Sequence, residues 1–136
     1  MDFLKTLGIA ASGLKAQSGR MRIIAENIAN ADSVAPSANA EPYRRKIPTF
    51  GSHFDRDLQA SVLETGRVRR DQSPFRTKYD PGNPAANERG EVRLPNVNSL
   101  VENMDMREAQ RSYEANLNMV TATRRMISRT LEILKA

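Results

Sequence analysis

All seven prolines of this 136-residue chain lie between Pro36 and Pro95, so residues 1–30 and 99–136 are free of the residue that most strongly breaks a helix. That asymmetry predicts a mainly α fold: long N- and C-terminal helices around a short, turn-rich insert with a small β component. In the first flank Leu4, Leu7, Ala11, Leu14, Ser18, Met21, Ala25 and Ile28 follow a 3-4-3-4-3-4-3 spacing. This is a seam along one side of a helix, and only Ser18 interrupts its apolar character. Asp2 is a suitable N-cap, and Asn30 suits a left-handed position past the helix end. Gly8, Gly13 and Gly19 work against the helix, each by about 0.5–1 kcal/mol relative to Ala. Three of them predict close backbone packing against a neighbour and a helix poorly formed alone.

The second flank opens with Ser99-Leu100-Val101-Glu102, which reads as a capping box. From there Met106, Tyr113, Leu117, Val120, Ile127, Leu131 and Leu134 recur at heptad-like spacing, with Gln110 and Arg124 as polar interruptions. Ala115, Met119, Ala122 and Met126 form a second line, offset by two residues, that widens the stripe beyond what one partner helix covers. The expected arrangement is an antiparallel coiled-coil-like pair of terminal helices with apolar surface left for further neighbours. Methionines at helical spacing, Met21 and Met104 among them, read as core or seam. Asn116, in mid-helix among these residues, is a candidate for a bond to a neighbouring subunit.

The expected organisation is therefore residues 1–30 as an N-terminal helix, 31–98 as a loop and small β-hairpin insert, and 99–136 as a C-terminal helix. Within the insert, Tyr43–Phe50, roughly Val62–Arg70, and Phe75–Tyr79 are candidate strands separated by Gly51, Gly66 and Ser73-Pro74. Asp80-Pro81-Gly82-Asn83-Pro84 is dense in turn formers, and Pro48 and Pro95 confine any strand holding them to an edge. Residues 31–42 offer few groups to bury, so their order is expected to come from a partner.

Composition narrows the function. The chain is 39% apolar, under the roughly 45–50% of soluble domains (a figure that counts Gly), which again points to surface completed by partners. It has no Cys and one histidine, His53, so a thiolate site and a multi-histidine metal centre are both excluded. The net charge of +5 is spread along the chain. Arg44, Arg45 and Lys46, and Arg67, Arg69 and Arg70, are its only basic runs and read as solvated strand faces, not the clustered footprint of a nucleic-acid binder. The longest apolar runs are the three-residue Ile9–Ala11 and Ile23–Ala25, too short for a membrane span or a signal-peptide core. His53 reads as surface, and Asp55, Asp57 and Glu64 as solvated positions without a partner nucleophile. No glycine-rich phosphate loop is present. The expectation is a protein with no catalytic, cofactor or metal site.

The ends carry more than periodicity. Ser12-Gly13-Leu14-Lys15-Ala16-Gln17, Arg20-Met21 and Ile24-Ala25-Glu26-Asn27-Ile28-Ala29-Asn30 resemble the N-terminal motif of bacterial flagellar rod and hook proteins. Asp80-Pro81-Gly82-Asn83-Pro84-Ala85, Gly90, Leu94-Pro95-Asn96-Val97-Asn98, Met104-Asp105-Met106 and Arg111-Ser112-Tyr113-Glu114-Ala115-Asn116 are similar to the proximal-rod members of that family. The resemblance implies a structural subunit delivered unfolded through the flagellar type III export channel, without a cleavable signal, and assembled in the periplasm into a helical tube. It implies as partners copies of itself, the other proximal-rod proteins and an export-gate adaptor, with no nucleic acid and no direct lipid binding. The assembly interface it suggests is Leu4, Leu7, Ala11, Leu14, Met21 and Ile28 on the first helix. On the second it is Met106, Tyr113, Asn116, Leu117, Val120, Ile127, Leu131 and Leu134. The heptad seams alone would equally serve a soluble helical adaptor associated with type III export.

Overall fold

The structure, a computed structural model, describes residues 2–136. Helix α1 (Phe3–Ala29) and helix α2 (Ser99–Lys135) enclose six short strands: β1 (Lys46–Ile47), β2 (Phe50–Asp55), β3 (Ala60–Thr65), β4 (Arg69–Arg70), β5 (Arg76–Tyr79) and β6 (Glu91–Leu94). The strands form three separate two-stranded antiparallel ribbons, β1 with β4, β2 with β3 and β5 with β6. The chain divides into two compact units. One holds the residues up to Met21, Thr49–Arg67 and Arg107–Ala136; the other holds Arg22–Pro48 and Val68–Met106.

The helices begin and end through local hydrogen bonding. Asp2 caps α1 as expected, its Oδ1 accepting the Lys5 N–H at 3.1 Å. Asn30 does not take the left-handed conformation expected of it, since Gln59 is the one non-glycine with positive φ among the described residues. Its amide instead folds back to donate to the Glu26 carbonyl at 2.8 Å, which also accepts the Asn30 backbone N–H at 3.1 Å. The expected capping box at Ser99 is also corrected. Asn98 is the cap, its Oδ1 accepting from Leu100 and Val101 N–H at 3.1 and 3.4 Å, and the Glu102 carboxylate is engaged elsewhere.

In the first unit the β2–β3 hairpin runs from Phe50↔Thr65 to Asp55↔Ala60, so Gly51 lies inside a strand rather than between two. Its turn is held by Asp55, whose Oδ1 accepts the N–H groups of Asp57 and Leu58 at 2.9 and 3.1 Å. The hairpin lies on α1. Ser12 Oγ accepts the Leu63 N–H at 3.1 Å, Val62 is buried, and Leu58 covers Gly8 while Thr65 approaches Gly19. The close packing expected of the α1 glycines is therefore present at all three, with Gly13 lying against the Asn116 side chain.

In the second unit Ile24, Ala31, Ala35, Val92 and Val97 form a small core. Strand β6 was not expected from the sequence; it pairs with β5 from Arg76↔Leu94 to Tyr79↔Glu91, across a loop that returns at Gly90 with φ 76°. Residues 31–42, expected to gain order from a partner, are held by the chain itself. Arg76 Nη2 donates to the Ala31 carbonyl at 2.7 Å, and Arg93 Nη2 to the Ala40 carbonyl at 3.0 Å.

Candidate assembly surface

The second unit is organised by a buried polar joint where the last turn of α1, strand β1 and the first turn of α2 meet. Asn27, fully buried, donates to the Lys46 carbonyl at 2.8 Å and to Glu102 Oε2 at 3.1 Å. Its Oδ1 accepts from the Tyr43 hydroxyl at 2.8 Å and from the Lys46 N–H at 2.9 Å. The other Glu102 oxygen accepts from Arg45 Nε at 2.5 Å, and Arg45 extends to Asp71 and Asp105 at 3.6 and 3.8 Å. Asn96 ties in the backbone, accepting from Arg45 N–H at 2.8 Å and donating to the carbonyls of Asp71 and Ser73. The solvated reading of Arg44, Arg45 and Lys46 is thus corrected. Arg44 lies 4.3 Å over the Phe75 ring and donates to the Asp71 carbonyl, Arg45 is paired as above, and Lys46 pairs with Glu26.

The electrostatics follow from this arrangement. Burial pushes the Tyr43 hydroxyl up to about 12, with the negative charges of Glu26 and Glu102 acting in the same direction. Burial works against the Arg45 charge, but the hydrogen bond and attraction of Glu102, with Asp71 and Asp105 behind it, outweigh burial and raise its pKa. Hydrogen bonds from the backbone and hydroxyl of Ser73 hold Asp71 below the usual carboxylate range, with Arg45 adding to the effect. Each carboxylate in the joint is taken up by a cation or an amide, which makes it a clamp. Sequence pattern alone missed Arg45 as a member and assigned Glu102 to a cap; the signal for both was a charged residue at a position that the helix and strand patterns turn inward.

The helices bury mainly small and polar residues, Ile24 excepted, and leave their other large apolar side chains half-buried or exposed. Along α1 the buried positions are Ala10, Gly13, Ala16, Ile24 and Asn27; along α2 they are Glu102, Ala109 and Thr123. The expected interface residues lie beside these faces. Leu4 is 75% exposed and Ala11 is exposed, while Leu7, Leu14, Met21 and Ile28 are half-buried. On α2, Met106, Tyr113, Asn116, Val120 and Ile127 are half-buried, whereas Leu117, Leu131 and Leu134 are exposed at 46%, 52% and 77%. The second line, Ala115, Met119, Ala122 and Met126, is exposed throughout. Asn116 donates one amide N–H to the Ser112 carbonyl at 3.1 Å and packs on Gly13. Exposed large side chains recur over most of this 37-residue helix, beyond the scattered exposure of ordinary surfaces.

No comparable chemistry is assembled elsewhere. His53 Nδ1 lies 3.3 Å from Glu64 on the exposed hairpin, and no group of three or more His, Asp or Glu capable of holding a metal occurs among the described residues. No helix among them is long and apolar enough to cross a membrane.

Residues 7–35 match the family described as flagella basal body rod protein, and residues 88–133 match that described as flagellar basal body rod FlgEFG protein C-terminal. The flagellar basal-body rod protein FlgC of Agrobacterium fabrum is 49% identical over 128 residues, covering 94% of this chain and 92% of the relative. The protein of the same name from Aquifex aeolicus is 40% identical with 99% of both chains covered. That from Bacillus subtilis is 37% identical over 99% of this chain and the whole of the relative.

Proposed function

The chain belongs to the FlgC family of flagellar basal-body rod proteins, and from that premise we propose how it serves as a subunit of the rod. It is a structural subunit of the proximal rod of the flagellar basal body, assembling with other flagellar rod proteins. The role is mechanical, with no enzymatic step, cofactor or metal. The terminal helices, residues 1–30 and 99–136, are its assembly core, and the intervening insert meets adjacent subunits on the outside. The two helices pair antiparallel. In support, the last turn of α1 is bonded to the first turn of α2 through Asn27 and Glu102, and Gly13 admits the Asn116 side chain against the α1 backbone.

The observation that carries the proposal is the outward apolar face of both helices, from Leu4 on α1 to Leu117, Leu131 and Leu134 on α2. A shaft that transmits torque needs many lateral contacts per subunit, and wide apolar stripes supply them by burial in the assembly. Copies of this chain and an export-gate adaptor are its further neighbours. Rod assembly in the periplasm follows export without a cleavable signal, and neither nucleic acid nor lipid is bound. Deleting the chain from the bacterium that encodes it tests the reading: the cells lose hooks and filaments, and complete flagella in the deletion strain overturn it.

A further inference from the structure

Two features of the first unit have no partner within it. A groove of about 280 Å³ lies between α1 and the β2–β3 hairpin. Its floor is apolar, built from Ala16, Leu58 and Val62, and its rim is charged, with Lys15 on α1 and His53, Asp55 and Glu64 on the hairpin. The second feature is the last two turns of α2. Every residue from 128 to 136 is exposed, although the helix runs to Lys135, and Leu131, Ile133 and Leu134 are 52%, 75% and 77% exposed. Nothing else in the unit covers those side chains, and a helix end held in water on all sides is an unused apolar surface.

We propose that the end of α2 of one copy seats in the α1–hairpin groove of a second copy, with Leu131 and Leu134 on the apolar floor. The proposal rests on the reading of the chain as a rod subunit. The charges match in sign. The rim carries two acids beside Lys15 and His53, with Glu64 already 3.3 Å from His53 Nδ1, and the helix end carries Arg129 and Lys135 with Glu132 between them, so that Lys135 meets Glu64 and Glu132 meets Lys15. The occupant is a second copy because the same chain carries both the groove and the unused helix end. A contact between two different patches of the same protein is heterologous, so it repeats from copy to copy without either patch going unfilled along the series. Self-pairing through one patch would close as a dimer and stop.

The absence of cysteine makes the contact directly testable. Glu64→Cys and Lys135→Cys are made on two separately encoded copies of the chain expressed together, and isolated basal bodies are oxidised. Both positions are exposed, so the fold is insensitive to the changes. The expected product is a disulfide-linked dimer of twice the chain mass, formed when both variants are present and absent with either alone. Basal bodies that contain both variants and give no such dimer overturn the seating, and so does a crosslink from position 64 to a protein of different mass. Charge reversal gives an independent readout: Glu64→Lys and Lys135→Glu each lower the number of hooked basal bodies several-fold, and the double variant restores it. A double variant no better than either single overturns the pairing. These failures are separable from failure of the rod assignment, which the deletion strain alone decides.

Discussion

Asn27 has no hydrogen-bonding capacity left over, since both amide protons and both carbonyl lone pairs are used, and it is the residue through which α1, β1 and α2 are tied. Tyr43→Phe removes one of those partners and is expected to cost about 0.5–1.5 kcal/mol in denaturant unfolding. The same change alters the alkaline limb. Because burial and nearby carboxylates raise the Tyr43 pKa to about 12, the fold favours the neutral hydroxyl. Its contribution is complete below pH 10 and is lost as pH rises from there towards 12, so the variant shows a flatter decline over that window. Asp71 acts with the opposite sign. Its lowered pKa stabilises the fold at pH values above the ordinary carboxylate range and is lost as pH falls through the lowered value, which Asp71→Asn removes from the acid limb. Arg45 is the costliest member to delete. Arg45→Met leaves Glu102, 1% exposed, with a charge that Asn27 alone cannot compensate, at a cost of about 3 kcal/mol. Replacing Arg45 and Glu102 together with Met costs less than Arg45→Met alone, because the desolvated charge goes with its partner; a larger loss in the double variant contradicts the clamp.

At the scale of elements, the glycines of α1 and β2 separate cleanly by what surrounds them. A Cβ at Gly13 would stand 2.8–3.0 Å from the Asn116 amide, whereas one at Gly51 meets nothing within 4 Å. Gly13→Ala therefore sets a helix-propensity gain of about 1 kcal/mol against an overpacking cost of about 1–3 kcal/mol, and a net loss is expected in thermal unfolding. Adding Asn116→Ala relieves the crowding and recovers part of the loss, while Gly51→Ala is neutral or mildly stabilising. The two helices were legible from the sequence because the proline distribution and the 3-4 spacing agree over long stretches, and close packing at Gly8, Gly13 and Gly19 followed from their cost. The insert was less legible for physical reasons. Gly51 looks like punctuation but sits in an exposed ribbon where a missing side chain loses little packing. Strand β6 is four residues between a turn cluster and Pro95, too short for alternation to stand out. At the start of α2, Asn98 and Ser99 are both good caps, and Asn98 takes the place while Arg45 draws Glu102 into the clamp. Periodicity also marked the large apolar side of each helix without revealing that the chain's own packing uses the adjacent side of small and polar residues.

For the whole molecule, the proposed function divides these faces into one that folds the subunit and one that assembles it. Ala109 is fully buried on α2, and Leu117, two turns further on, is 46% exposed. An aspartate at each position places the same charge in different surroundings. In the free subunit Leu117→Asp puts a carboxylate in water, where surface substitutions change stability by about 0.5 kcal/mol or less, so helix content by circular dichroism and the midpoint of thermal unfolding stay close to the parent. In a rod assembled through the proposed stripe the same carboxylate would be desolvated against a neighbour with no partner, at a cost of several kcal/mol, and each 1.4 kcal/mol is a tenfold loss in association. Leu117→Asp is therefore expected to give a folded, exported protein and cells that do not swim. Ala109→Asp loses swimming by another route, since its charge enters the interior of the subunit and helix content falls with it. Swimming by the Leu117→Asp strain would show that this stripe is not an assembly surface, and unfolding of that variant would move Leu117 from assembly to the fold. A folded but non-motile Leu117→Asp beside an unfolded Ala109→Asp is the outcome that two faces with separate duties require.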